Sequence, residues 1–199
     1  MKCSLLCFSQ AVFCVCLFGL FGCGTIQKRP ESWPTVSECQ FKDIDISDFG
    51  TFSNIGIDAA GGSTKLSDLL FVLQPEPGHA TDQFNNNRLQ KTLSKAQRIR
   101  FKTVNKNYII LEFIDGDVDT EWKVDGLINT IQVGEGCIRV STKRTINREM
   151  VTANENRVIE ISRISKQVIV HSEAKHYGLM FIVPAWGRDN LWATFNQTD

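Results

Sequence analysis

The chain has 199 residues, and its 22 Lys plus Arg balance its 22 Asp plus Glu, so it is formally neutral. That balance argues against nucleic acid as a partner, because phosphate binding needs a basic surface. It also gives no reason to expect polybasic attraction to anionic lipid. An apolar share of 42 % without low-complexity tracts fits one folded domain, long enough to bury a core without a metal.

The chain opens Met1-Lys2-Cys3-Ser4 and continues as an apolar run from Leu5 to Gly22, broken only by Ser9 and Gln10. One cation before an apolar stretch of about 18 residues has the layout of an export signal, and it sits at the lower edge of what a membrane-spanning helix needs. The run ends Leu20-Phe21-Gly22-Cys23, directly before polar sequence. This tetrad resembles the lipobox of bacterial lipoproteins. The resemblance covers only the first 23 residues. It implies that Cys23 takes a diacylglyceryl thioether, that signal peptidase II cuts after Gly22, and that the new amino group is acylated, with palmitate-type chains holding the protein to a membrane. Gly24 stands where an Asp would favour retention at the inner membrane. The implied address is therefore the outer membrane, facing the periplasm.

Removal of 22 residues would leave 199 − 22 = 177, carrying 21 cations against 22 anions once Lys2 is gone. Of seven cysteines, Cys3, Cys7, Cys14 and Cys16 lie in the discarded part, and Cys23, Cys39 and Cys137 remain. Lipid on Cys23 leaves an even pair, and an oxidising periplasm makes a Cys39–Cys137 disulfide the expected outcome. Two separate buried thiols are the alternative. Zinc ligation is disfavoured by the wide spacing.

Residues 23–38 read as the lipidated cysteine and a polar tether interrupted by Pro30 and Pro34, and 39–199 as a single β-rich domain. Within it, Phe41 to Ser47 alternates as a strand, and Phe52 to Asp58 is a weaker strand candidate. Leu66, Leu69, Leu70 and Leu73 fall at helical spacing, with Ser63 or Thr64 as cap. A breaker-rich loop follows over 74–87, then a second short helix around Leu89, Leu93 and Ala96. Beyond residue 98 the expectation is β throughout. Strands fall at 98–104, 108–114, 120–124, 127–133, 137–145, 157–164, 167–172, 178–183 and 191–195, with a polar stretch over 147–156. The expected fold is mainly β: an antiparallel meander forming a barrel or sandwich, with one or two short helices in the N-terminal half. Its expected core lies in 98–195, around Phe101, Ile110, Trp122, Ile131, Ile138, Val140, Ile161, Val168, Val170, Phe181 and Trp192.

Chemical motifs are sparse. Asp115 to Glu121 alternates carboxylates, but Thr120 and Gly126 stand where a calcium loop needs Gly and Glu, so a solvated hairpin loop is the better reading. His171 and His176, five apart, would point to opposite faces of a strand and read best as exposed loop residues. His79 stands alone. Gly61-Gly62-Ser63 lacks the second flank of a nucleophile elbow, and no phosphate loop is present. Aromatic residues gather near the C-terminus at Tyr177, Phe181, Trp186, Trp192 and Phe195. The expectation is a lipid-anchored envelope protein with a non-catalytic binding or assembly role. It would be joined to the membrane through Cys23 and available to an envelope protein partner, with no cofactor and no metal. The alternatives are an envelope hydrolase assembled from distant residues, or a carrier holding an apolar ligand inside a β-barrel.

Overall fold

The computed structural model describes residues 24–36, 39–73, 89–116, 119–148, 151–180 and 183–198; the side chains at 146–148, 151, 180 and 183 are left aside. Cys23, His79 and Phe181 lie outside the described residues. The chain is mainly β, with every strand pair antiparallel. Eleven strands are described: β1 (Gly50–Ser53), β2 (Ile55–Asp58), β3 (Ser63–Lys65), β4 (Arg98–Val104), β5 (Tyr108–Ile114), β6 (Thr120–Asp125), β7 (Thr130–Gly134), β8 (Cys137–Arg148), β9 (Val151–Ile164), β10 (Gln167–Met180) and β11 (Val183–Asn196). Helix α1 covers Leu66–Phe71, and residues 89–93 are also helical.

Two sheets form, in the orders β1-β4-β5-β6 and β3-β2-β11-β10-β9-β8-β7. Each ends in free strands, so neither closes into a barrel; they share one core, as in a sandwich. The four-stranded sheet contributes Phe52, Ile99, Phe101, Leu111 and Phe113, and the larger sheet Val140, Ile159, Ile161, Val168, Val170 and Phe195. The rings of Phe49, Phe52 and Phe101 pack with centroids 5.7–6.3 Å apart and fill one end of the interface.

Strands β4 and β5 form where hydrophobic alternation marks them, and Ile99, Phe101, Val104, Ile109, Leu111 and Phe113 all point inward. The expected core residues Ile131, Ile138, Val140, Ile161, Val168 and Val170 are buried as well. Two expectations fail on the parity of side chains: Ile110 lies on the opposite face of β5 and is half-buried, and Trp192 lies on the outer face of β11. Trp122 faces the core from β6, on the side of buried Val124, and packs against it while staying half-buried. The core also reaches N-terminal of residue 98, through Phe49, Phe52, Leu66, Leu70, Leu73 and Leu93.

The segment 41–47 is not a strand: its β-type pairing with the sheets is confined to the isolated bridges of Phe41 to Gly134 and Ile46 to Val104. The candidate at 52–58 splits at Asn54 into β1 and β2, which belong to different sheets. Asn54 is fully buried and stabilises that split. Its Nδ2 donates to Ala96 O at 2.8 Å, and its Oδ1 accepts from Ser67 N at 2.8 Å, capping α1 from a distance. Lys65, at the N-cap position, supplies no side-chain cap, and neither Ser63 nor Thr64 takes that role.

The largest departure is length. Residues 151–156 belong to β9 and not to a polar loop, and 167–172 and 178–180 are parts of one strand, β10. Strands β8 to β11 run 12, 14, 14 and 14 residues in unbroken register. Their outer halves extend past the four-stranded sheet as an arm.

Cys39 and Cys137 lie at disulfide-bonding distance, with Cα atoms 6.2 Å apart. Gly134 permits this, because a Cβ there would stand 2.8 Å from Cys137 Sγ and 3.0 Å from Cys39 Sγ. A bond closing the 98-residue separation stabilises by roughly 4 kcal/mol through loss of unfolded-chain entropy. The protein isolated without reductant, alkylated and weighed by mass spectrometry, is expected to show no labelled Cys39 or Cys137. Two labelled thiols would rule the bond out.

Candidate functional site

Constant register makes residues whose numbers sum to a fixed total face one another across adjacent strands. Arg144 therefore stands opposite Glu155, and Glu155 opposite His176. Likewise Arg139 stands opposite Glu160, Glu160 opposite His171, and His171 opposite Trp192. The two Arg–Glu–His rungs are five residues apart on every strand, so they occupy opposite faces of the sheet.

The inward rung lies on the arm beyond the apolar core. Glu155 is only 2 % exposed, with Arg144 Nε 2.9 Å and Arg157 Nε 3.0 Å from Oε1 and His176 Nδ1 3.1 Å from Oε2. His176 Nε2 is in turn 2.9 Å from Asp189 Oδ2. Burial pushes the Glu155 carboxyl up, but the hydrogen bonds and charges of Arg157 and Arg144 outweigh it and hold the group below its ordinary range. Two guanidinium groups and an imidazole around one carboxylate compensate its desolvation, so the network joins β8, β9, β10 and β11 where apolar packing has run out.

On the outward rung, His171 stacks on Trp192 with centroids 4.1 Å apart and the planes 13° from parallel. Its Nε2 is 2.7 Å from Asn190 Oδ1 and its Nδ1 3.2 Å from Glu160 Oε2, while Arg139 Nε donates to Glu160 Oε1 at 2.7 Å. Both histidines are thus strand residues held by carboxylates, not exposed loop residues. Their opposite faces follow from the five-residue spacing.

The remaining sequence candidates do not converge on these rungs. Asp115 pairs with Arg98 at 2.6 Å and Glu121 pairs with Lys102, both at the surface. Gly61 and Gly62 form the β2–β3 turn, folded around Asp58 Oδ1, which accepts from Ala60 N and Gly62 N. Among the described residues no group of His, Cys, Asp or Glu is arranged to hold a metal ion. A cleft of about 240 Å³ beside the paired cysteines is lined by Gln40, Lys42, Glu135 and Arg163 among others.

The segment expected as a tether is docked at its start. Gln27 N donates to Asn190 O at 2.9 Å, Asn190 N to Thr25 O at 2.7 Å, and Thr25 N to Asp189 Oδ1 at 3.0 Å, so 24–27 runs parallel to β11 along its free edge. Gly24 lies so close to Arg188 that any Cβ would overlap the Arg188 carbonyl.

No protein-family model matches the chain, and neither curated proteins nor solved structures show one similar to it. Among the described residues no helix is long and apolar enough to cross a membrane, which leaves strands aside.

Glu160 yields a pH test. The His171 hydrogen bond and the Arg139 guanidinium overcome burial and bring its carboxyl from the ordinary value down to about 2. A depressed folded value stabilises above the unfolded value, about 4.3, and that contribution fades as pH falls through about 2. The full shift corresponds to about 3 kcal/mol. With 34 % of the side chain exposed, screening reduces it to about 1 kcal/mol. Glu160→Gln is therefore expected to cost about 1 kcal/mol at pH 6, with the deficit shrinking towards pH 2 in thermal melts. A deficit independent of pH would contradict the assignment.

Proposed function

We propose that this chain is a lipoprotein of the bacterial envelope, anchored through acylated Cys23, whose β domain has a non-catalytic binding or assembly role at the membrane surface. The observation that carries the proposal is the docking of 24–27 onto β11 directly after the Leu20-Phe21-Gly22-Cys23 tetrad. A free polar spacer would let the domain drift from its anchor. A segment hydrogen-bonded into the sheet edge instead brings the domain to within a residue of the anchor and gives it a set orientation. The outer membrane, facing the periplasm, is the address that Gly24 favours. Paired Cys39 and Cys137 suit such an oxidising compartment.

Binding or assembly is preferred over carriage of an apolar ligand. A carrier of the expected kind needs a hollow barrel, whereas these sheets do not close and their interface is packed with aromatic rings. The long arm offers a surface that such a role can use.

The test is processing. Wild-type protein expressed in a Gram-negative host and labelled with fatty acid is expected to give a shortened, labelled band, and Cys23→Ala an unlabelled precursor of full length. If the variant is cut and acylated like the wild type, the proposal fails.

A further inference from the structure

The outer face of the arm carries an ordered change of chemistry from one rung to the next. Lys143, Lys175 and Arg188 share one rung with Asn156, and all three cations are exposed. The next rung towards the hairpin end holds Tyr177 opposite Trp186, exposed by 51 % and 48 %. The one after that pairs Leu179, 49 % exposed, with exposed Pro184. Basic, aromatic and aliphatic layers thus follow one another at a spacing of about 7 Å, two residues of strand.

That order matches the polarity profile of a phospholipid surface: cations at headgroup phosphates, Trp and Tyr at the interface, aliphatic groups at the edge of the acyl chains. The overall neutrality of the chain conceals this local excess, in which Glu173 of the neighbouring rung, 3.2 Å from Lys175 and 3.1 Å from Arg188, is the carboxylate paired with these cations among the described residues. The docked segment points the same way. Ile26 is level with Asn190 and Gly24 with Arg188, so each residue further back along this parallel segment moves towards Trp186. Gly24, the residue bonded to Cys23, lies against Arg188, two strand residues from Trp186.

We propose that the β10–β11 hairpin end, through Tyr177, Trp186 and Leu179 backed by Lys143, Lys175 and Arg188, seats in the phospholipid surface that holds the lipid of Cys23. The inference rests on the lipoprotein reading above. Lipid and hairpin would form two contacts with the same leaflet, fixing the tilt of the sandwich and presenting its opposite end, with the β7–β8 and β9–β10 turns, away from the arm's contact. Two linked contacts hold far more firmly than either alone.

The test uses the full acylated protein reconstituted in phosphatidylethanolamine/phosphatidylglycerol vesicles, with or without bromine on the acyl chains. Brominated chains are expected to quench the wild-type tryptophan emission, and Trp186→Phe to lose most of that quenching while melting at the wild-type temperature. Tyr177→Ser with Leu179→Ser should reduce quenching while the protein stays vesicle-bound through its lipid. Mass measurement of the N-terminal peptide separates the two claims. If Cys23 is acylated yet quenching is absent, or is unchanged in Trp186→Phe, the hairpin proposal alone is overturned. Absence of acyl chains overturns the anchoring reading and this inference with it. Self-association in detergent that Trp186→Ser abolishes, without quenching in vesicles, would assign the hairpin end to a second copy and also overturn the proposal.

Discussion

The structure depends on a mismatch of length. Strands β8 to β11 reach 12 to 14 residues, while the strands of the opposing sheet reach at most 7. A sheet face that emerges from its partner must meet water, another protein, a membrane or its own charged side chains. Here it changes solution along its length: apolar packing of Val168 and Val170, then buried Ser172 and Ala174, then the Glu155 network, with the apolar end beyond. Without compensation by Arg144 and Arg157, Glu155 would be a buried charge, among the costliest groups in a fold. The same network ties four strands where no second sheet supports them. The arm is therefore an ordered lever, not a pair of frayed hairpins.

That lever links anchoring to presentation. The 24–27 segment completes the free edge of β11 on the arm, where β2 no longer pairs with it, β2 meeting β11 only at Ala193 and Thr194. An edge strand left bare invites pairing with other chains, and coverage by this segment removes that hazard. At the other end of the molecule, the paired cysteines hold residues 39–42 against the β7–β8 turn, and Lys42 N donates to Val133 O at 2.8 Å. The N-terminal segment is thus fastened at both of its described ends, and under the proposed anchoring any tension on it would be spread over the sheet.

What the sequence disclosed follows the same physics. Hydrophobic alternation is a strong signal only where a strand has a core to face, so β4, β5 and the core halves of β8 to β10 were legible, down to Ile138, Val140, Ile161, Val168 and Val170. The arm was not, because its polar residues, such as Glu155, Glu173 and His176, find their partners on neighbouring strands and read locally as loop. A subtler signal was present: Arg139 and Arg144, Glu155 and Glu160, His171 and His176 are all five apart, as constant register across three strands requires. Of these, the histidine spacing alone stands out locally, because both residues fall within one short segment. The N-terminal core was missed because Phe49, Phe52 and Leu66 join it through distant partners, and Asn54 works through bonds to residues 67 and 96 that no local pattern reveals. The cysteine pair was legible from parity, since the lipobox reading sets aside Cys23 and the four cysteines before it and leaves Cys39 and Cys137.

The most direct check on this account is amide hydrogen exchange followed by mass spectrometry on the mature protein near pH 7. An ordered arm requires slow exchange at residues 153–157 and 174–177, clearly slower than in the turns and within reach of the sandwich core strands. Exchange of those segments at the rate of unstructured chain, while β4 and β5 stay protected, would show that the arm does not stand on its charge network and would remove the lever on which anchoring and presentation both depend.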